Sequence, residues 1–116
     1  MDGELLILGF LKLLEMAEVD TGLAKLETEV RHLLYYIAHL HTEGRKICIG
    51  DVLACGHLCA PLTASKRLRH LESDGWVAIK QDPTNHRRRF VSLTPKSVKS
   101  LKSASAKLEK KIPKIK

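Results

Sequence analysis

The sequence predicts a mainly α-helical domain that carries one small β-hairpin. Apolar residues recur with a period of about 3.6 residues along most of the chain, which indicates helices. Directly after Gly75 this period changes to two, over two short segments separated by a turn-rich run. With 116 residues the chain is long enough for one domain with a modest core. We expect N-terminal helices over residues 1–44, a helix-and-hairpin unit over 45–94, and a C-terminal helix with a basic tail over 95–116.

The first predicted helix, over residues 4–19, is apolar on more than one face. Its apolar residues include Leu5, Leu6, Leu8, Phe10, Leu13, Leu14, Met16 and Ala17. A helix with so broad an apolar stripe needs burial on two sides, and a small domain covers only one. We therefore expect the first and last helices to form the interface of a homodimer.

The same N-terminal stretch is not expected to enter a membrane. Its apolar run, residues 5–14, is shorter than the roughly 20 residues of a membrane span and contains Lys12. It also lacks the basic leader and the cleavage site of a secretory signal. The sequence therefore predicts a cytoplasmic protein with no membrane partner.

The second predicted helix starts from a cap at Asp20 or Thr21 and ends at Gly44. Along it the apolar residues alternate steps of three and four, namely Leu23, Leu26, Val30, Leu33, Ile37 and Leu40. This spacing is typical of a core helix. The histidines on or near it are interpreted as surface or core residues rather than metal ligands, namely His32, His39 and His41.

Residues 51–75 have helix-turn-helix form. A short helix begins at Gly50 or Asp51 and ends at Gly56, and a turn then leads into a helix whose first residue is Pro61. Proline suits that position because its missing N–H would be unpaired there in any residue. Just before this unit, residues 46–49 are expected to be a short extended segment that pairs with the hairpin.

The second helix of this unit has two distinct sides. Ala64, Leu68, Leu71 and Gly75 share one side, which is predicted to pack inward. The other side carries short polar and long cationic side chains together with one leucine, namely Leu62, Thr63, Lys66, Arg67 and His70. Such a side suits the major groove of DNA, where Lys and Arg meet guanine acceptors and apolar or Thr methyl groups meet thymine.

The hairpin places Val77 and Ile79 on one face of its first strand, and Val91 and Leu93 on one face of its second. The connecting run contains Asp-Pro and Asn, which favour turns. The basic tip consists of Asn85, His86, Arg87, Arg88 and Arg89. Arginine at such a tip can enter a narrow minor groove, where the negative potential is strongest. A helix-turn-helix followed by a basic hairpin is the winged helix-turn-helix arrangement.

Thr94 and Pro95 predict the start of the last helix, which Pro113 ends. Its apolar face repeats in steps of three and four through Val98, Leu101, Ser105, Leu108 and Ile112. The other faces are rich in lysine. We interpret them as the solvated side of a dimerisation helix, and direct contact with flanking phosphates is the alternative.

The net charge of +7 is unevenly distributed. Residues 1–57 contain nine acidic and five basic residues, whereas residues 58–116 contain four acidic and fifteen basic residues. The positive field therefore belongs to the half of the chain that carries the helix and hairpin, and it would attract a polyanion to that side. Together with the helix and hairpin pattern, this predicts double-stranded DNA as the partner.

Over the helix-turn-helix and the hairpin, the chain resembles the MarR family of transcription regulators. The resemblance extends from about Leu26 to Thr94. The resemblance is most specific over LRHLESDGWVAIKQDPTNHRRRFVSLTPK. It implies DNA contacts near Thr63, Ser65, Lys66 and Arg67, and an arginine at position 87 that enters the minor groove. The sequence departs from the family at Asn85, where members usually have an aspartate that pairs with this arginine, and at Ser97, where they usually have glycine. The chain is also shorter than most members.

Three cysteines, Cys48, Cys55 and Cys59, form the pattern C-x6-C-x-H-x-C with His57. The spacing matches no common zinc site, and small thiols at a helix end often fill core space. We favour buried core thiols, with redox sensing and metal binding as alternatives. Paired carboxylates, a Ser-His-acid set and a phosphate-binding glycine loop are all missing, so neither an enzyme nor a cofactor is predicted.

The sequence thus predicts a homodimer that binds double-stranded DNA sequence-specifically and acts as a transcriptional regulator of the repressor type. Two alternatives stay open. One is a DNA-binding module without a regulatory role, such as a plasmid or phage replication, partition or architectural factor. The other is a winged helix that uses its basic face to contact an acidic protein. The sequence identifies no polar residues that would line a pocket for a small-molecule effector, so control by such an effector also stays open.

Overall fold

The computed structural model describes residues 5–56 and 58–111. Its helices are α1 (Leu6–Thr21), α2 (Thr28–Thr42), α3 (Ile49–Leu53), α4 (Pro61–Ser73) and α5 (Pro95–Lys111). Its strands are β1 (Ile47–Cys48), β2 (Val77–Gln81) and β3 (Arg89–Leu93). The predicted fold class, mainly helical with a small β-hairpin, is confirmed. None of the helices in this part of the chain is long and apolar enough to cross a membrane.

Contacts between residues divide the chain into two compact units. The terminal unit comprises Met1–Leu26 and Val98–Lys116, and the central unit comprises Glu27–Ser97. In the terminal unit, Lys107 Nζ lies 3.6 Å from Asp20 Oδ2, so α1 and α5 share an ion pair. The predicted division of one domain at residues 44 and 94 stays a prediction.

The predicted second helix is interrupted near its start. Gly22 has φ +81°, the left-handed conformation that glycine adopts without steric cost, and it ends α1. Leu23–Lys25 then form a single 3₁₀ turn, and α2 begins only at Thr28. Asp20 and Thr21 therefore lie at the end of α1, and the prediction that one of them caps the second helix was wrong.

The core of the central unit comes from α2, the helix-turn-helix and one face of the sheet. Its buried apolar residues are Val30, Leu33, Leu34, Ile37, Leu40, Ile47, Val52, Cys55, Ala64, Leu68, Leu71, Trp76, Val77 and Val91. The inward side of α4 contributes Ala64, Leu68 and Leu71, as the spacing predicts. Because that side is buried, α4 must turn its opposite side to solvent.

The three strands form an antiparallel sheet in the order β1-β3-β2. Val77 pairs with Leu93 and Ile79 with Val91, so the predicted faces of the hairpin are confirmed. Ile47 of β1 pairs with Val91 from the other side, as expected for the short extended segment. Gln81 pairs with Arg89 at the far end of the hairpin, and residues 82–88 form the connecting loop.

The start of α5 is tied to the end of α4. The Thr94 hydroxyl donates to the Gly75 carbonyl at 2.6 Å and accepts from the Ser97 N–H at 3.3 Å. Ser97 is fully buried, and its hydroxyl donates to the Trp76 carbonyl. The serine that departs from the family's usual glycine thus makes a hydrogen bond that glycine cannot make. The expected end of α5 at Ile112 and Pro113 lies outside the described residues.

Replacing Ser97 by Ala should lower the free energy of unfolding by about 0.5–1.5 kcal/mol, the net value of one hydrogen bond. The loss stays modest because the Trp76 carbonyl also accepts the Thr94 N–H at 3.3 Å. Urea unfolding measures the change. Ser103→Ala, at an exposed position of α5, is the control for the helix propensity of alanine. Equal effects of the two substitutions would show that the buried bond contributes nothing.

Candidate nucleic-acid interface

The two sides of α4 differ sharply in exposure. Its exposed outer stripe consists of Leu62, Lys66, Arg69 and His70. Leu62 is 71% exposed, whereas the other large apolar side chains found exposed in the described chain lie between Leu5 and Val19. His70 Nε2 lies 3.1 Å from Asp74 Oδ2, so the end of the helix holds its imidazole.

The remaining predicted residues of α4 lie on its two flanks. Thr63 and Arg67 are half-buried on one flank, and Ser65 is half-buried on the other. Burial raises the pKa of the Cys55 thiol, and the positive charge of Arg67 opposes this shift. That these three residues, or Leu62, Lys66 and His70, contact DNA stays a prediction.

The backbone of the hairpin loop is held by its own side chains. The Thr84 N–H and hydroxyl donate to Asp82 Oδ1 at 2.9 and 2.8 Å. The Arg87 N–H donates to Asn85 Oδ1 at 3.1 Å, and Gln81 Nε2 donates to the His86 carbonyl at 2.6 Å. Asn85 thus orients the backbone at Arg87, whereas the family's aspartate pairs with the arginine side chain.

The basic side chains of this loop point into solvent. Arg87 and Arg88 lie in the loop and Arg89 is the first residue of β3, and all three are exposed. Asn85 and His86 are exposed beside them. The hairpin, which we call the wing, comprises β2, β3 and residues 82–88. It therefore presents three arginines on a backbone held by side-chain hydrogen bonds, in the same compact unit as α4.

Asp82 carries a lowered pKa. The bonds from Thr84, first from its backbone N–H and then from its hydroxyl, stabilise the carboxylate and hold the pKa of Asp82 below its ordinary value. The positive charge of Arg88 adds a smaller contribution in the same direction. Asp82 is therefore a carboxylate at neutral pH and keeps the turn at the base of the loop closed.

The cysteines occupy different environments. Cys55 is fully buried, while Cys48 and Cys59 are half-buried, and all three are free thiols. The sulfur atoms of Cys55 and Cys59 lie 3.9 Å apart. Burial, followed by the neighbouring Cys59, raises the pKa of the Cys55 thiol, which agrees with a core role for it. His57 lies outside the described residues, and among those described no three His, Cys, Asp or Glu side chains could hold a metal ion.

A cleft between α4 and the wing was not predicted from the sequence. Its volume is about 440 Å³, and its lining includes Ser65, Arg69 and Glu72 from α4 and Gln81 and Arg89 from the wing. The positions 65, 69 and 72 follow helical spacing and so share one flank of α4. That spacing is a local signal. The opposite wall comes from two strands, Gln81 of β2 and Arg89 of β3, and has no local relation to that spacing.

A helix-turn-helix that is preceded by a short strand and followed by a basic hairpin, with all three strands in one sheet, defines a winged-helix protein. Residues 26–97, well over half of the chain, match the model of the winged helix DNA-binding domain family. The chain belongs to this family, whose model describes a DNA-binding domain. A comparison with curated proteins gave no significant match.

Solved structures of transcription regulators share the fold. The Staphylococcus aureus MepR-DNA complex is 16% identical with a TM-score of 0.71, covering 92% of this chain and 75% of MepR. Regulator Tm0710 from Thermotoga maritima is 18% identical with a TM-score of 0.69, covering 97% and 75%. Heme-free PefR is 20% identical with a TM-score of 0.60, covering 93% and 90%. These neighbours are MarR-family regulators, so the resemblance to that family is confirmed at the level of the fold.

Replacing Asp82 by Ala should speed hydrogen exchange of the Thr84 N–H, because that donor loses its acceptor. Amide exchange measured by NMR tests this, with Glu109→Ala, at an exposed carboxylate of α5, as the control. Because the pKa of Asp82 is lowered, the carboxylate stabilises the loop above its ordinary pKa, and this stabilisation is lost only as the pH falls through the lowered value. Protection of Thr84 should therefore be constant between about pH 5 and 8. If the Thr84 N–H loses its protection within that pH range, or keeps wild-type protection in Asp82→Ala, its hydrogen bond to Asp82 is contradicted.

Proposed function

We propose that the protein is a homodimer that binds double-stranded DNA sequence-specifically and regulates transcription as a repressor. The observation that carries this proposal is one compact unit that exposes both the outer stripe of α4 and the arginines of the wing. The outer stripe of α4 suits the major groove and the arginines of the wing suit the minor groove. Both can bind at once only if the fold holds them at the right distance from each other. MepR, a protein of similar fold, was solved bound to DNA, which supports the proposal.

The outer stripe of α4 suits the major groove, which is wide enough for an α-helix. Lys66 is exposed near the middle of the stripe and can donate to the acceptor atoms of guanine. Leu62 stands one turn before it and offers an apolar surface to the methyl group of thymine. Water is an unfavourable environment for so exposed a leucine, so contact with a thymine methyl would favour binding. Thr63, Ser65, Arg67 and His70 are the further candidates for base or phosphate contacts.

The wing suits the minor groove. Arg87 and Arg88 are exposed in a loop whose backbone is already hydrogen-bonded, so little conformational entropy is lost when they bind. Arginine inserts preferentially where the minor groove is narrow, as in A/T-rich DNA. We propose Arg87 as the inserted residue, with Asn85 and His86 beside it and Arg88 and Arg89 near the phosphates.

The apolar side of α1 supports dimerisation. The exposed large apolar residues at this end of the chain are Leu5, Leu6, Ile7, Leu8, Phe10, Leu11, Met16 and Val19. Ile7 is 74% and Val19 68% exposed. So large an apolar patch on one helix marks an interaction surface, and a second copy of α1 offers a matching one. A twofold dimer would place two α4 helices in successive major grooves, about 10 bp apart.

Selection of random duplex DNA by the purified protein tests the proposed function. The wild type should enrich an inverted repeat with half-sites about one helical turn apart. Leu62→Ala, selected in parallel, should lose the preference for thymine at one position of each half-site. Arg87→Ala should keep the half-sites and lose the preference for A/T-rich sequence beside them. A promoter carrying the selected sequence should be repressed by the protein in a reporter assay.

Other outcomes of this selection would support the rival functions. Tight binding without an enriched motif would contradict sequence-specific regulation and favour an architectural role. Weak binding with almost no salt dependence would favour protein contact, because each neutralised phosphate contributes a slope of about −0.9 in log K against log salt. Enrichment of a single half-site would refute the proposed dimer and leave sequence-specific DNA binding intact.

Ile7→Glu should weaken dimerisation at least tenfold, because a carboxylate would replace an apolar side chain in the proposed interface. Sedimentation velocity over a range of protein concentrations measures the change. Ala24→Glu makes the same kind of substitution at an exposed position beyond α1 and should leave the dimer intact. A wild-type protein that stays monomeric, or equal effects of the two variants, argues against α1 as the interface.

A further inference from the structure

The cleft between α4 and the wing combines two cations with one anion. Arg69, on the outer stripe of α4, and Arg89, at the start of β3, line its opposite walls, and Glu72 lies one turn beyond Arg69. All three side chains are exposed. No salt bridge joins Glu72 to either arginine in the part of the chain that the structure describes. The cleft therefore carries a net charge of +1, with both guanidinium groups free to bind a ligand.

The proposed docking on DNA determines what must enter this cleft. With α4 in a major groove and the wing in the adjacent minor groove, one sugar-phosphate strand lies between the two elements, because such a strand separates the two grooves. The gap between α4 and the wing is this cleft. In that docking, its mouth would be the place where the DNA backbone passes closest to the central unit.

We propose that this cleft is a binding site for a single phosphate of the DNA backbone, held between Arg69 and Arg89. Guanidinium groups on opposite walls can donate to different oxygens of the same phosphate. The Ser65 hydroxyl, on the α4 wall, is a further donor. This inference rests on the proposed function, and it assigns Arg69 of α4 and Arg89 of the wing to one shared phosphate.

The site would also set the position of the wing. Gln81 pairs with Arg89 across the hairpin, and its side chain, which lines the cleft, donates to the His86 carbonyl in the loop. A phosphate bound to Arg89 would thus fix the strand from which Arg87 reaches the minor groove. Contacts of this kind fix the register of a protein on DNA and carry no sequence information themselves.

Glu72 offers a test in which the loss of a charged side chain should strengthen DNA binding. Its carboxylate lines the same cleft and would repel the phosphate, so its removal should strengthen binding. Glu72→Gln keeps the size of the side chain and removes the charge. Its affinity for DNA should rise severalfold, equally for selected and unrelated sequences.

The salt dependence of binding tests whether the two arginines share one phosphate. The variant Arg69→Gln with Arg89→Gln should reduce the slope of log K against log salt by about 0.9, the value for a single phosphate. Two independent phosphate contacts would reduce it by about 1.8. No reduction, or a reduction near 1.8, overturns the shared site.

Replacement of backbone phosphates by neutral methylphosphonate, one position at a time, locates the site. On the selected duplex the wild type should lose about tenfold in affinity at one position of each half-site, between the bases read by α4 and the minor groove of the wing. The double variant should lose nothing further there, and it should keep the wild-type losses at other phosphates. Glu72→Gln should show no gain on the duplex that carries this neutral position.

Matched controls separate this inference from the proposed function. Lys99→Gln with Lys102→Gln removes two exposed lysines from α5 and should leave the methylphosphonate pattern unchanged. Arg69→Lys with Arg89→Lys keeps the charge and should recover part of the affinity. If the wild type enriches no DNA sequence, the proposed function fails. If the wild type enriches an inverted repeat but the double variant shows the wild-type loss of affinity at every methylphosphonate position, only the phosphate site is refuted.

Discussion

The junction at Gly75 and Trp76 is the constraint on which the helix and wing arrangement depends. The Trp76 N–H donates to the Leu71 carbonyl at 2.9 Å, which closes the end of α4. Thr94 and Ser97, just beyond the other end of the hairpin, bond to the carbonyls of Gly75 and Trp76. Both ends of the wing are thereby attached to the junction that directly follows α4. Its arginines and the outer stripe of α4 can then act as one rigid surface.

The interface combines an ordered backbone with unpaired cations. Asp82, Asn85 and Gln81 use their side chains on the backbone of the wing loop, so the neighbouring arginines remain exposed. A loop that is ordered before binding loses less entropy when DNA arrives. The substitution of asparagine for the family's aspartate fits this division, because a neutral amide can still accept the Arg87 N–H without neutralising the arginine charge.

Some of this interface could be predicted because its signals are local. The 3.6-residue spacing of Ala64, Leu68 and Leu71 identifies the buried side of α4, and hence its outer side. The alternation around Val77 and Val91 identifies the wing and the residues that share a face of each of its strands. The break at Gly22 was missed because Leu23 and Leu26 continue the helical spacing of α2. In the structure, Leu23 lies in a 3₁₀ turn and Leu26 has an extended backbone conformation. Burial requires an apolar side chain at the right place, and more than one backbone conformation can supply it.

The sequence by itself determined which segments are helices and strands, which of their sides are apolar, and that positive charge collects in the second half of the chain. These properties depend on residues close together in the chain. Only the tertiary structure decided that Arg69 and Glu72 face Arg89 across a cleft, and that Ser97 bonds to Trp76. Each of these pairs joins residues about twenty positions apart. Their proximity depends on how the sheet packs against α4, which no periodicity in the sequence records.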